Sequence, residues 1–229
     1  MNNQPAEKQH HDQQGAVEVH SVFQTIQGEG PFTGQRALFV RLAGCNLACP
    51  MCDTEYTDSR TVCFPQDVVD WAALHGALPG QLVVITGGEP FRQNIRPMVE
   101  SLLIAGYRVQ IETNGTLYQD LPYARITVVC SPKTGAIHKR LEPYIAALKY
   151  VLDHRSKAPD DGLPLLALGH TASPRLARPP AGFRGTIYIQ PVDVNDPVEN
   201  KINLDATVES VLGHGYTLCL QTHKLINVN

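Results

Sequence analysis

Short runs of almost unbroken apolar residues alternate along this chain with stretches whose apolar positions recur at helical spacing. The runs at 38–42, 82–86, 108–112, 126–131, 147–152, 186–190 and 217–221 are rich in β-branched residues and read as strands. Several, such as LVVIT and ITVVC, are apolar at nearly every position, which suits parallel strands covered on both faces. Between them, residues 66–78 place Val68, Val69, Ala72 and Ala73 at helical spacing. Residues 94–105 open on the capping residue Asn94, carry Pro97 in the first turn and stop at Gly106. Residues 205–212 open on a capping Asp and end at Gly213 and Gly215. Strands alternating with helices predict an α/β fold with right-handed crossovers, either a barrel or an open sheet. No internal repeat is visible.

Two stretches break this rhythm. Residues 157–185 hold five prolines and four glycines and read as a long irregular connection. Residues 1–16 are polar and read as a disordered arm, with the pair His10 and His11 solvated. That leaves 17–229 as one α/β domain.

The polar punctuation falls at strand ends. The successive runs lead into Thr86, Gly87, Gly88, Glu89 and Pro90; into Glu112, Thr113, Asn114 and Gly115; into Ser131, Pro132 and Lys133; into Gln190 and Pro191; and into Gln221, Thr222, His223 and Lys224. Barrels and open sheets bind ligands at the carboxyl ends of their strands, so these five ends are expected to share one rim.

Composition narrows the classes. The 229 residues are 43% hydrophobic and 18% charged with a net charge of −3, ordinary for a globular protein. No basic surplus argues for nucleic acid. No apolar run approaches a membrane span, and the start lacks a signal-peptide layout, so a cytoplasmic protein is expected. Cys63, Cys130 and Cys219 are isolated and read as small hydrophobes, but Cys45, Cys49 and Cys52 are clustered as CxxxCxxC. Without an export signal, that cluster reads as metal chemistry rather than disulfides.

Three readings of the triad are open on spacing alone. One is zinc with a fourth ligand such as His20, His75 or His223, since a closed structural zinc site takes four protein ligands. Another is three unrelated buried cysteines. The third is a four-iron cluster on which three thiolates leave one iron open.

Placed directly after a strand (ALFVRLAGC), CxxxCxxC resembles the signature of the radical S-adenosylmethionine enzymes, and Gly87-Gly88-Glu89-Pro90 resembles their GGEP motif. Met51 stands where that superfamily often has an aromatic residue. The run Phe23 to Gly30 (FQTIQGEG), together with IETNG, SPK, QP and the closing QTHKLINVN, is similar to the 7-carboxy-7-deazaguanine synthase family of the queuosine and 7-deazapurine pathway. The likeness runs from about Val19 to the last residue.

The resemblance implies a modified, incomplete (β/α) barrel of the radical S-adenosylmethionine type, a homodimer, and a carbon–nitrogen lyase. It implies that 6-carboxy-5,6,7,8-tetrahydropterin is contracted to 7-carboxy-7-deazaguanine with loss of ammonia. A 5′-deoxyadenosyl radical would take hydrogen from C6 and return it, so that S-adenosylmethionine is used catalytically. The implied cofactors are a 4Fe-4S cluster, S-adenosylmethionine and Mg2+, with a flavodoxin or ferredoxin as electron donor. The alternative in the same superfamily is an activating enzyme for glycyl-radical proteins, against which QGEGPFTG and QTHKLIN favour a buried pterin pocket.

The resemblance also implies roles for residues. Cys45, Cys49 and Cys52 would hold the cluster, and Thr54 would ligate magnesium. Ile26, Gln27, Gly28, Glu29, Thr86, Glu112 and His223 would line the pterin pocket, with Arg41 on the substrate carboxylate. The main-chain carboxylate of Asn229 would also touch substrate, a role that does not depend on the side chain. Met51, Gly87, Gly88, Glu89, Ser131, Pro132, Lys133 and Gln190 would contact S-adenosylmethionine.

Overall fold

A single nine-stranded sheet organises the chain, in the order β3-β1-β2-β4-β5-β6-β7-β8-β9. The computed structural model describes residues 4–10, 12, 14–170 and 175–228. β1 (Val17–Ile26) pairs antiparallel with both β2 (Arg36–Leu42) and β3 (Thr61–Cys63). From β2 onward the ladder is parallel: β4 (Leu82–Gly87), β5 (Arg108–Thr113), β6 (Ile126–Cys130), β7 (Ile145–Leu152), β8 (Thr186–Pro191) and β9 (Thr217–Leu218). The order is open, with β3 and β9 at its edges, which is the expected incomplete barrel.

The near-continuous apolar runs do cover two faces. Val40, Val83, Ile85, Val109, Ile111, Val128, Leu148, Tyr150 and Ile189 build the main core. Against it sit the apolar positions of α1 (Pro65–Leu74) and α2 (Arg96–Ile104), among them Val68, Ala72, Met98 and Leu102. The alternate positions Ala37, Leu82 and Val84, with Phe32 and Phe39 packed on them, form a small second cluster on the opposite face. Side chains two apart share a face of a strand. The residues that follow this second cluster toward the carboxyl ends therefore stay uncovered by helices and become available to a ligand.

Three expectations change. β1 escapes the hydrophobic pattern because only Val17 and Val19 of its ten residues are buried. α3 (Pro197–His214) begins well before residue 205, capped by Asp196, whose carboxylate accepts from the N–H groups of Val198 and Glu199. The start is hidden because the segment before residue 205 buries Asn203 instead of an apolar residue. α1 stops early because Gly76 adopts φ +74° and Pro79 follows.

Among the described residues of the arm expected to be disordered, 4–10 contact the domain. Ala6 bridges Cys45 and His10 bridges Gln93, and Glu7 ion-pairs with Arg60 and Arg92. Its main chain finds partners on the domain, which composition does not reveal. His11 lies outside the described residues. Residues 157–170 and 175–185 carry no helix or strand. No helix among the described residues is long and apolar enough to cross a membrane.

Candidate active site

The carboxyl ends of β2, β4, β5, β6, β7 and β8 open on one cavity of about 340 Å³, within the range of small-molecule sites. Its lining includes Phe39 and Arg41 from β2, Thr86 and Gly87 from β4, and Glu112 from β5. Beyond β6 come Ser131 and Lys133, then Lys149 from β7 and Gln190 from β8.

Charge is paired across the inner face. The Lys149 ammonium meets Glu29 and lies 3.4 Å from Glu112. Gln27 and Gln110 donate to Glu112 at 3.1 and 3.0 Å, and Gln221 donates to Glu29 at 2.9 Å. Burial works against the charge on Glu29, but Lys149 and Gln221 outweigh it and hold its pKa at about 2. Burial likewise opposes the Lys149 charge, and Glu112 and Glu29 outweigh it, so its pKa is raised. The network thus holds Glu29 ionised although it is buried.

Arg41 stands apart from that network. Its guanidinium carbon lies 5.3 Å from the centre of the Phe23 ring, and its buried Nε has no hydrogen-bond partner. Burial lowers its pKa, against the attraction of Asp53 and the Cys52 thiol. A half-buried guanidinium with an unpartnered Nε is suited to receive a carboxylate or phosphate.

Cys45, Cys49 and Cys52 line the same cavity, with Met51, Asp53 and Thr54 beside them. Burial raises all three thiols, Cys45 to about 12. Among the described residues, no three His, Cys, Asp or Glu side chains converge where one metal ion would sit. Zinc would draw its ligands to about 2.0–2.3 Å, whereas a four-iron cluster takes each thiolate on a separate iron. His20 is engaged by Ser21 and Asp58, and exposed His75 faces the Trp71 carbonyl. Three soft donors opening on a ligand cavity fit the cluster with one open iron.

The glycine pair has a structural cause besides a ligand. A Cβ on Gly87 would lie 2.2 Å from the Leu42 carbonyl oxygen, and one on Gly88 2.0 Å from that of Gly44. Only glycine lets the end of β4 lie against the start of the cysteine loop. Glu89 occupies a structural place between β4 and β5. It is fully buried and does not line the cavity, and its carboxylate accepts from Phe91 N–H, Thr113 Oγ1 and Asn114 N–H at 2.9, 2.7 and 2.7 Å. These bonds tie β4 to β5 beneath the pocket, and the carboxylate is consumed there. Pro132 is buried and also lies off the lining.

The two flanking motifs interlock. Thr222 N–H donates to the Gly28 carbonyl at 3.1 Å, and a Cβ on Gly28 would meet His223 Nδ1 at 2.0 Å. Gly28 therefore sits behind the lining while Ile26, Gln27, Glu29 and His223 are in it. α4 (Thr222–Leu225) carries His223 to the rim. Asn229 lies outside the described residues. Arg41, Thr54, Thr86, Glu112, Ser131, Lys133, Gln190 and Met51 are all brought together, as are Gly87, Gly88 and the triad.

Lys149 and Gln221 are among the polar lining residues that sequence reasoning missed. The signal for Lys149 is its solitary charge inside the apolar strand IAALKYVL. Gln221 stood in the quoted tail motif but had been given no role.

No family model matches the chain. It is 42% identical over 219 residues to the 7-carboxy-7-deazaguanine synthase of Rhodospirillum rubrum, covering 92% of each chain. It is 38% identical over 221 residues to the enzyme of that name from Rickettsia prowazekii, covering 93% of this chain and 88% of the relative. The fold is similar to the crystal structure of QueE from Escherichia coli, with a TM-score of 0.68 and 25% identity over 90% of this chain and 93% of that one.

Proposed function

The chain belongs to the 7-carboxy-7-deazaguanine synthase family, and from that premise we propose that its cavity contracts 6-carboxy-5,6,7,8-tetrahydropterin to 7-carboxy-7-deazaguanine with loss of ammonia. The observation that carries the reading is the joining of three thiols, an under-partnered guanidinium and an ionised carboxylate network on one cavity. Each part matches a part of the reaction.

The cluster and S-adenosylmethionine supply, when bound, the one-electron chemistry that side chains lack. The chain's own work is binding and orientation. Cys45, Cys49 and Cys52 hold the cluster. Ser131, Lys133, Gln190, Met51 and the main chain of Gly87 and Gly88 surround the place for S-adenosylmethionine.

Arg41 pairs with the pterin carboxylate, which completes its hydrogen bonds. The amino-pyrimidinone edge of a pterin offers N–H donors, and the Glu29 and Glu112 carboxylates, both paired with Lys149, accept them. Gln27 fixes Glu112 through its amide, and His223 borders the pocket from the tail. Thr54 gives magnesium one protein oxygen, sufficient for an ion that keeps waters and shares ligands with substrate. A homodimer, a flavodoxin or ferredoxin donor and a cytoplasmic site of action complete the proposal by family likeness. The glycyl-radical activase reading has no comparable support, since the curated relatives carry the synthase name.

The test is anaerobic reconstitution followed by mass analysis of 6-carboxytetrahydropterin turnover. The expected result is 7-carboxy-7-deazaguanine without stoichiometric loss of S-adenosylmethionine. An intact cluster with no such product would sink the substrate assignment.

A further inference from the structure

Between β2 and β3 the chain runs from Ala43 to Arg60 without a helix or strand, yet it must hold three thiols in register. Main-chain ties within it include Cys52 N–H to Cys49 O at 3.2 Å and Gly44 N–H to Tyr56 O at 3.0 Å, and side chains add Tyr56 Oη to Leu47 O at 3.4 Å and the Thr57 and Asp58 N–H groups to the Glu55 carboxylate. Buried or half-buried main-chain groups need partners. Several of those in this loop are met by residues 4–10.

The contacts fall at both ends of the loop. Glu7 N–H donates to the Cys45 carbonyl at 2.7 Å, and Ala6 forms a parallel bridge with Cys45. The Gln4 side chain brackets the far end, donating to Thr54 O at 2.9 Å and accepting from Tyr56 N–H at 2.9 Å. Tyr56 is only 1% exposed. The Glu7 carboxylate reaches Arg60, the last residue of the loop, and Arg92, which is itself buried against Glu18 and the Ala43 carbonyl. His10 N–H to Arg92 O at 2.7 Å and Gln9 Nε2 to Phe91 O at 3.1 Å fasten the same segment to the turn after β4. None of residues 4–10 lines the cavity.

We propose that residues 4–10 form a strap that positions the cysteine loop, with Gln4 and Glu7 as the positioning residues at its two ends. Ordering a backbone costs conformational entropy at every residue, and a loop already held in its bound geometry need not be ordered by the group it binds. The strap thus acts through Cys45 and Thr54 rather than on substrate. It rests on the reading that the triad holds a cluster, and not on the identity of the substrate.

The experiment compares three anaerobically reconstituted proteins: the full chain, the chain lacking residues 1–10, and full-length Gln4→Ala. Amide hydrogen exchange is followed at 45–56 and, as an internal reference, at 82–87. Gln4→Ala removes two hydrogen bonds, so exchange around residues 54–56 is expected to rise roughly tenfold, with 82–87 unchanged. The shortened chain is expected to lose protection at both ends of the loop and to bleach several-fold faster in air.

The EPR signal of the reduced cluster should broaden in Gln4→Ala while KM for the pterin stays the same, which general destabilisation would not produce. Should the shortened chain fail to fold, Gln4→Ala decides alone. Equal protection and equal bleaching in Gln4→Ala and the full chain would overturn the strap. A loosened loop in a protein that makes no deazaguanine would uphold the strap and sink the substrate reading.

Discussion

Replacing Lys149 with Met keeps the length of the side chain and removes the ammonium that Glu29 contacts. Lys149 is 7% exposed, and both carboxylates it meets are largely shielded from water. Removing one member of a buried ion pair costs about 3–5 kcal/mol, because the remaining charge is stranded. In a chain of this size each kcal/mol moves the melting temperature by about 2–4 °C. Lys149→Met is therefore expected to melt roughly 6–20 °C lower at neutral pH.

The pH dependence follows from the sign of the Glu29 shift. Its folded pKa is depressed to about 2. The stabilisation is thus fully present above the unfolded carboxylate value of about 4.3 and lost as pH falls through the folded value. In the variant the two carboxylates face each other without a cation, and protonating one relieves them. The gap in melting temperature between the two proteins should narrow steadily from about pH 7 to about pH 4. Differential scanning calorimetry across that range measures it. The double variant Lys149→Met/Glu29→Gln should recover most of the loss. An unchanged melting temperature near neutrality, or a gap that does not vary with pH, would refute the charge network as described.

Three further outcomes are expected. Gly28→Ala places a methyl group within 2.0 Å of His223 Nδ1, so the tail must move; activity should fall at least tenfold while cluster absorbance is kept, and retained activity would show that the tail is not needed at the rim. Thr54→Ala should lower magnesium-stimulated turnover with cluster content unchanged, and an unaltered magnesium response would remove Thr54 as the ligand. Deleting the last three residues should abolish turnover without loss of the cluster, read as iron content beside product formation; a fully active truncation would contradict the role given to the chain end.

The α/β class, the parallel strands and the shared polar rim were legible in the sequence because burial on both faces writes itself as unbroken apolar runs. The triad, the glycine pair and the two flanking motifs were legible because chemistry demands fixed residue types at fixed spacing. Tertiary structure decided which of them meet. Gly28 and His223 are far apart in the chain, and only the closure of the tail onto β1 makes one glycine necessary to the other.

Glu89 sits inside a ligand motif, yet the N–H groups of Phe91 and Asn114 claim its carboxylate. Lys149 could be seen as an odd charge in an apolar strand, but its purpose lies in Glu29 and Glu112, which arrive from other elements. The polar arm could not be read as bound at all, because main-chain hydrogen bonds to Cys45 and Arg92 leave no trace in composition. Local pattern fixes what each segment is able to do; which partner satisfies a buried charge or carbonyl is decided only when distant segments are brought within about 3 Å of each other.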